Sequence, residues 1–178
     1  LRVLNQEHVK LAMSLRETAQ WLKEEGKIDE CRPLLEQSLA LMRQALPEND
    51  EEVAVSLMLF GSALRGVGQI AEALRLYHAA TAILTELYSK RNDKVLQSIV
   101  ELAMLYKQQR NYDAAKTHLQ EVVTLSQVVY GEEHERTASV LSELGRVCKL
   151  DGDYDNAKRL LERALAMRIR ISGDRHPT

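Results

Sequence analysis

Hydrophobic positions recur along this chain at the spacing of amphipathic helices. Near the C-terminal end, Leu141, Leu144 and Cys148 follow one another at intervals of three and four residues. After a turn-forming segment at residues 151–153, the same spacing resumes with Ala157 and Leu161. Because such intervals place apolar side chains on one face of a helix, the pattern predicts two helices joined by a short turn.

The arrangement of two helices and a turn occurs four times. Short segments that contain Gly or Asn lie at residues 25–27, 67–69, 109–111 and 151–153, and residues of this kind mark turns between periodic segments. The predicted helix pairs lie at residues 8–24 and 28–46, 50–66 and 70–89, 93–109 and 112–130, and 135–150 and 154–171. The chain is therefore predicted to be all-α.

The four pairs are copies of one unit with a period of 42 residues. The segment Asn-Tyr-Asp-Ala-Ala-Lys at residues 111–116 becomes Asp-Tyr-Asp-Asn-Ala-Lys at residues 153–158. We call residues that lie 42 positions apart a column. Small residues form the columns Ala19, Gly61, Ala103, Gly145 and Cys31, Ala73, Ala115, Ala157, and large ones form Leu35, Tyr77, Leu119, Leu161. Small residues let two helices approach closely while large ones fill the space around the contact.

A loop column keeps the same phase. It reads His8, Asp50, Asn92, His134 and His176. Its histidines fall in different repeats and lack ligand spacing, so we predict that this column satisfies backbone groups at helix starts and holds no metal. The repeats span about 8–49, 50–91, 92–133 and 134–175, and form one repeat domain over residues 1–178. We expect this domain to be a fragment of a longer array.

At these columns the chain resembles the tetratricopeptide repeat. The best match is Tyr154 after a turn, followed by Ala157, Leu161 and Ala164. The usual repeat of that family has about 34 residues. The longer unit here, with a Gly-x-x-His loop at residues 131–134, resembles the kinesin light chain type, which nephrocystin-3 shares. The resemblance implies a right-handed superhelical solenoid of antiparallel helix pairs, with four repeats and about eight helices.

The resemblance also implies a binding groove, because the first helix of each pair lines the concave face in this family. By phase, the groove residues are Arg16, Gln20, Lys23, Met58, Ser62, Arg65, Val100, Met104, Lys107, Ser142, Arg146 and Lys149. In kinesin light chains a recurring asparagine clamps the backbone of a bound peptide, and the matching positions here carry Arg16, Met58, Val100 and Ser142. The cargo-peptide mode of that family therefore cannot be carried over unchanged.

A basic column lies near the ends of the first helices, at Lys23, Arg65, Lys107 and Lys149. None has an acidic residue three or four positions before it, so within their own helices these cations are mostly unpaired and are available to an acidic peptide. The alternative is that they only stabilise the helix ends through the helix dipole. Likewise, Met58, Val100 and Met104 form either an adaptable seat for a peptide anchor or a surface buried by the neighbouring pair.

Composition narrows the function classes. The net charge is −2, which gives no general attraction to nucleic acid or an anionic membrane, and no apolar run approaches the roughly 20 residues of a membrane span. Cys31 and Cys148 lie outside metal or disulfide patterns. These cysteines and Trp21 fall in packed columns, so we predict that they lie in the core. The segment at residues 151–153 resembles the start of a calcium loop but lacks the flanking ligands, which favours turn chemistry.

Catalytic motifs are absent from the sequence, so we expect neither an enzyme nor a cofactor. The preferred interpretation is a scaffold or adaptor that binds a peptide or partner subunit, with a kinesin light chain-like cargo or cytoskeletal role. The alternative is a ligand-sensing regulatory domain of a larger signalling protein or enzyme. Self-association through exposed end repeats is a further expectation, and the expected location is cytoplasmic, with a cytoskeletal or ciliary association.

Overall fold

The computed structural model describes residues 2–173 of the chain. Within them the chain is all α-helical. Its eight helices are α1 (Arg2–Glu24), α2 (Ile28–Ala45), α3 (Glu51–Gly66), α4 (Ile70–Leu87), α5 (Asp93–Gln108), α6 (Tyr112–Tyr130), α7 (Glu135–Leu150) and α8 (Tyr154–Gly173). Each odd-numbered helix packs against the helix that follows it, so the helices form sequential antiparallel pairs. This confirms the predicted all-α fold of helix pairs.

Two compact units divide the chain, at residues 1–89 and 90–178. In unit 1, α1 pairs with α2, α3 pairs with α4, and α2 also packs against α3. In unit 2, α5 pairs with α6, α7 pairs with α8, and α6 packs against α7. Within each unit, the second helix of one pair thus contacts the first helix of the next.

The predicted helix ends agree with the structure to within two residues, except at the start of the chain. There α1 already includes Arg2, so His8 lies inside a helix and its predicted loop position is wrong. Pro47 and Gly131 break the chain shortly before the later members of the column, whereas residues 2–7 contain neither Gly nor Pro and nothing stops the helix there. His176 lies outside the described residues.

Three other members of the loop column directly precede the first helices of their pairs, α3, α5 and α7. The side chains of Asp50 and Asn92 accept hydrogen bonds from the backbone N–H groups two residues later, at 2.8 Å and 2.9 Å. His134 does the same, because its Nδ1 accepts from the N–H of Arg136 at 3.1 Å. A helix leaves its first backbone donors without internal partners, so the predicted capping role is confirmed at these positions.

The turn inside each pair uses a left-handed residue. Gly26, Gly68 and Gly152 have φ values of 78°, 77° and 87°. The fourth member of this column is Arg110, with φ of 61°. A side chain in this region costs free energy that glycine avoids, so the third turn is built from a less suitable residue than the others.

The small columns mark the closest approaches between paired helices. Ala19 and Ala103 are fully buried. A methyl group built on Gly61 would lie 2.8 Å from the ring of Tyr77, and one built on Gly145 would lie 2.9 Å from Cγ of Leu161. These helices therefore touch where the sequence predicted.

Trp21 is not in the core, contrary to its prediction. Its side chain is 56% exposed, whereas Ala63, Leu105 and Val147 of the same column are buried. At Ala63 and Val147 a preceding helix covers the column, because α2 packs against α3 and α6 against α7, whereas α1 is the first helix described. Nζ of Lys27 lies 5.4 Å from the Trp21 ring, a distance suited to a cation–π contact.

Candidate partner-binding surface

The predicted groove residues lie on the first helices of the pairs, but they differ in accessibility. In unit 1, Gln20 is exposed, and Arg16, Lys23, Met58, Ser62 and Arg65 are half-buried. In unit 2, Arg146 and Lys149 are exposed, Val100, Met104 and Lys107 are half-buried, and Ser142 is buried. We call the exposed and half-buried members of this set, taken within each unit, the first-helix face.

Polar contacts join the two first helices of unit 1. Nη1 of Arg16 on α1 lies 2.7 Å from Oε2 of Glu52 on α3, and the Arg16 side chain is only 15% exposed. Nearer the other end of α1, Nζ of Lys23 donates to Oγ of Ser62 at 2.9 Å. Two of the predicted groove cations therefore hold neighbouring first helices in register.

In unit 2, polar contacts also join the two first helices, but they involve different residues. Nζ of Lys107 on α5 lies 3.4 Å from Oε2 of Glu143 on α7, and Glu143 also pairs with Arg146 on its own helix. At the opposite end of these helices, Arg136 pairs with Asp93. These contacts link α5 to α7 at two places and fix the spacing between the two helices.

The rule for neighbours within one helix therefore gave the wrong expectation about which cations of the basic column are unpaired. Lys23 and Lys107 have partners on the next first helix, so the inference that they are free for a ligand is wrong. Those partners lie 39 and 36 residues further along the chain, beyond the reach of a rule for neighbours in one helix. Lys149 is exposed and has no ion pair among the described residues.

Ser142 occupies one of the peptide-clamp positions but is withdrawn from the surface. Its hydroxyl donates to the carbonyl of Ala138 at 3.0 Å and accepts from Nη1 of Arg168 at 3.3 Å. The same guanidinium reaches Glu135, with Nε 3.0 Å from the carboxylate. Sequence reasoning missed Arg168, although its column is otherwise Met42, Leu84 and Ser126 and a cation there is conspicuous.

A cleft of about 320 Å³ opens between α5, α6 and α7 of unit 2. It is lined by Asp93, Leu96, Gln97, Val100, Val122, Ser126, Tyr130, Arg136, Ser139 and Val140. Of the predicted groove residues, Val100 contributes directly to this lining. The cleft was not foreseen, because its walls come from three helices whose spacing only the folded chain sets.

The mouth of this cleft is polar and ordered by several contacts. Arg136 pairs with Asp93 and donates from Nη1 to the hydroxyl of Tyr130 at 3.1 Å. The ring of His134 stacks on Tyr130 with 4.7 Å between centroids. An apolar floor under a few fixed polar groups is the usual composition of a binding pocket.

Further clefts lie in the described part of the chain. One of about 370 Å³ is bordered by Arg43, Glu48, Val53 and Glu86 in unit 1. The other, of about 660 Å³, lies between α6 and α8 in unit 2, and its lining is mostly polar. Neither cleft is lined by any of the predicted groove residues.

Both cysteines are buried, as predicted. Burial raises the pKa of the Cys31 and Cys148 thiols above the ordinary value and so disfavours the reactive thiolate. Among residues 2–173, no group of three or more His, Cys, Asp or Glu side chains could hold a metal ion. No helix in the same range has both the length and the apolar character needed to cross a membrane.

The segment at residues 151–153 serves the turn, as predicted. Asp153 accepts hydrogen bonds from the side chain and backbone of Asn156 at 2.6 Å and 3.2 Å, and these bonds lower the pKa of Asp153. Asp151 lies 2.5 Å from Nζ of Lys116 and, together with Asp113, raises the pKa of that ammonium. Both carboxylates are therefore committed to internal contacts.

Comparison with known proteins gives a family match and a set of related folds. A family profile described as tetratricopeptide repeat matches residues 4–86 and 94–170. A Podosopora anserina protein described as a kinesin light chain with nearly identical TPR-like repeats is 26% identical, with 90% of this chain and 76% of that chain covered and a TM-score of 0.81. None of the curated proteins matches this chain.

Two further solved structures share the fold at lower identity. BtubC (BKLC) from P. vanneervenii is 24% identical, over 94% of this chain and 73% of that chain, with a TM-score of 0.77. MamA is 14% identical, over 91% of this chain and 81% of that chain, with a TM-score of 0.67. At these identities the likeness concerns the fold alone.

Proposed function

Because the chain belongs to the tetratricopeptide repeat family, whose members are generally protein-interaction modules, we propose that it is a non-catalytic scaffold or adaptor. It binds a peptide or a partner subunit along the first-helix face. The observation that carries this proposal is the cleft between α5, α6 and α7, which opens beside Val100 on that face and combines an apolar floor with polar groups at its mouth.

The contacts between first helices support a preformed binding surface. Arg16 with Glu52 in unit 1, and Lys107 with Glu143 in unit 2, tie successive first helices together before any partner arrives. A surface that is already ordered loses less conformational entropy on binding. A partner therefore meets a fixed arrangement of side chains rather than a set of mobile ones.

We also propose that the partner carries acidic side chains. The last two turns of α7 contain two cations, Arg146 and Lys149, and no acidic residue. Arg146 and Lys149 are exposed. Opposite charge across an interface increases the association rate and discriminates between partners, although the pairing of Lys107 and Arg146 with Glu143 reduces the effect.

The setting that we propose is a cargo or cytoskeletal adaptor of the kinesin light chain type in the cytoplasm. The 42-residue repeat and the similarity to a protein described as a kinesin light chain support it. The mode of peptide binding should differ from the asparagine clamp of kinesin light chains, because the clamp positions hold the ion-paired Arg16 and the buried Ser142. Neither can offer an amide to a peptide backbone.

A pair of charge-reversal variants tests the proposed function. The first carries Arg146→Glu and Lys149→Glu on the first-helix face, and the control carries Lys158→Glu and Arg159→Glu, which are exposed on α8. Both change the net charge equally, so they separate a local effect from a general one. We expect partners recovered with the wild type by affinity capture and mass spectrometry to be lost selectively from the first variant. Equal recovery by both variants would refute the proposed binding face.

A further inference from the structure

Two helices of the described chain carry apolar side chains on an uncovered side. On α1, Leu4 and Leu11 are 50% and 49% exposed, and on α8, Leu165 and Ile169 are 60% and 63% exposed. The members of the first pair lie seven residues apart and those of the second pair four residues apart, so each pair shares one side of its helix. Exposed apolar side chains that adjoin one another mark interaction surfaces.

The repeat pattern shows what covers the equivalent positions in other pairs. Val53 on α3 and Thr137 on α7 belong to the column of Leu11, and they are 1% and 0% exposed. Val123 on α6 belongs to the column of Leu165 and is 8% exposed. Because α2 packs on α3 and α6 packs on α7, the position of Leu11 is normally covered by a second helix. The position of Leu165 is normally covered by a first helix.

From these complementary surfaces we infer that α8 of one copy of this chain packs against α1 of a second copy. The contact repeats the packing of α6 on α7, and it goes beyond the proposed function because its partner is the chain itself. Val123 lines a cleft together with Leu141 of α7. The equivalent residues are Leu165 and, in the second copy, Leu15. Burial of these leucines, together with Leu11, favours the association.

Opposite charges meet in the same arrangement. In unit 2, Nζ of Lys116 near the start of α6 lies 2.5 Å from Oδ2 of Asp151, which directly follows α7. The equivalent residues are Lys158 near the start of α8 and Glu25, which directly follows α1, and both are exposed. Lys158 approaches Glu162 of its own helix only to 3.9 Å. In the stacked copies Lys158 therefore faces Glu25 of the second copy, and this pairing of charges favours the proposed orientation.

The contact joins two different surfaces, so it is heterologous. One copy uses α8 and the next uses α1, which leaves one surface of each kind open for a further copy unless a ring closes. A variant blocked on α1 and a variant blocked on α8 therefore cannot associate with themselves. Each retains the surface that the other has lost, so a mixture of the two forms one-to-one dimers and nothing larger.

The test measures mass by sedimentation equilibrium. Leu11→Asp blocks α1 and Leu165→Asp blocks α8, since a carboxylate is costly to bury in an apolar contact. Val128→Asp is the matched control, because Val128 is 57% exposed and the rest of its column, Gln44, Glu86 and Arg170, is exposed as well. We expect the mass of wild type and control to rise with concentration. Each blocked variant alone should associate about tenfold or more weakly, and their equimolar mixture should recover dimers.

Wild type that stays monomeric up to about 1 mM, a blocked variant that associates like wild type, or a mixture that stays monomeric would each overturn the inference. Circular dichroism checks that the variants fold. Should an aspartate variant unfold, Glu25→Lys and Lys158→Glu replace the pair. Each of these alone should weaken association, and a chain that carries both should recover it because opposite charges again face each other; absence of that recovery would overturn the inference.

The same measurements separate this contact from the proposed partner-binding face. The variant Arg146→Glu, Lys149→Glu should lose captured partners and still associate like wild type. The variant Lys158→Glu, Arg159→Glu should keep its captured partners and associate more weakly. Failure of either proposal is therefore recognisable without reference to the other.

Discussion

The contact between Gly61 and Tyr77 offers the most direct test of how the small columns determine packing. Replacement of Gly61 by alanine would place a methyl carbon 2.8 Å from two ring carbons of Tyr77 and 3.4 Å from the carbonyl oxygen of Ala73. Carbon atoms prefer separations of about 3.5–4.0 Å. Tyr77 is 2% exposed, so its ring cannot swing aside and the two helices must separate.

The magnitude follows from two opposing effects. Overpacking of a dense core costs about 1–3 kcal/mol, whereas alanine is favoured over glycine inside a helix by about 1 kcal/mol. We therefore expect Gly61→Ala to lower the free energy of unfolding by about 0–2 kcal/mol. Gly66→Ala, in the same helix, is the matched control, because nothing lies within 4 Å of the added methyl group and only the helix-propensity gain applies.

Thermal unfolding of the two variants measures the steric effect directly. A difference of about 1–3 kcal/mol corresponds to roughly 2–12 °C in Tm for a chain of this size. The variant Gly61→Ala with Tyr77→Leu should recover part of the loss, because the same columns carry Ala19 with Leu35 and Ala103 with Leu119. A Tm of Gly61→Ala equal to or above that of Gly66→Ala would refute the reasoning.

Three further predictions concern the third turn, the two cysteine thiols and the loss of stability at low pH. Arg110→Gly should raise the free energy of unfolding by up to about 1 kcal/mol in urea titrations, because Arg110 has φ of 61°, whereas Arg110→Ala should give no gain. Cys31 and Cys148 should react slowly with a thiol reagent at pH 8 and quickly in urea, because burial raises the pKa of both thiols; rapid reaction without urea would contradict their burial. The pKa of Asp153 is lowered in the folded state, so its stabilising effect is present above its unfolded pKa and is lost as the pH falls through the folded value. Asp153→Ala should therefore destabilise α8 more at pH 6 than at pH 3, and an equal effect at both pH values would exclude this explanation.

Much of the fold could be predicted because each repeat carries its own local signals. The recurring turn segments predicted where each pair divides into two helices. The loop column predicted the caps at Asp50, Asn92 and His134, which the hydrogen bonds confirm. Local signals failed where a column lacked its usual surroundings. His8 has no helix breaker before it, and Trp21 has no described helix to cover it.

The candidate site was less predictable than the fold. Phase within a repeat placed Val100 and Lys107 on the first-helix face, but it could not give their neighbours. The partner of Lys107 is 36 residues away, and the cleft beside Val100 depends on Ser126 in a different helix.

By itself, the sequence determined the helices, their pairing and the family resemblance, because helix periodicity, caps and turns depend on residues that are close along the chain. Only the tertiary structure decided which cations are paired, which apolar residues remain exposed and where a cleft opens. Those properties depend on distances between side chains of different helices, which packing sets. The 42-residue period therefore predicts where equivalent residues lie, while packing decides what each of them contacts.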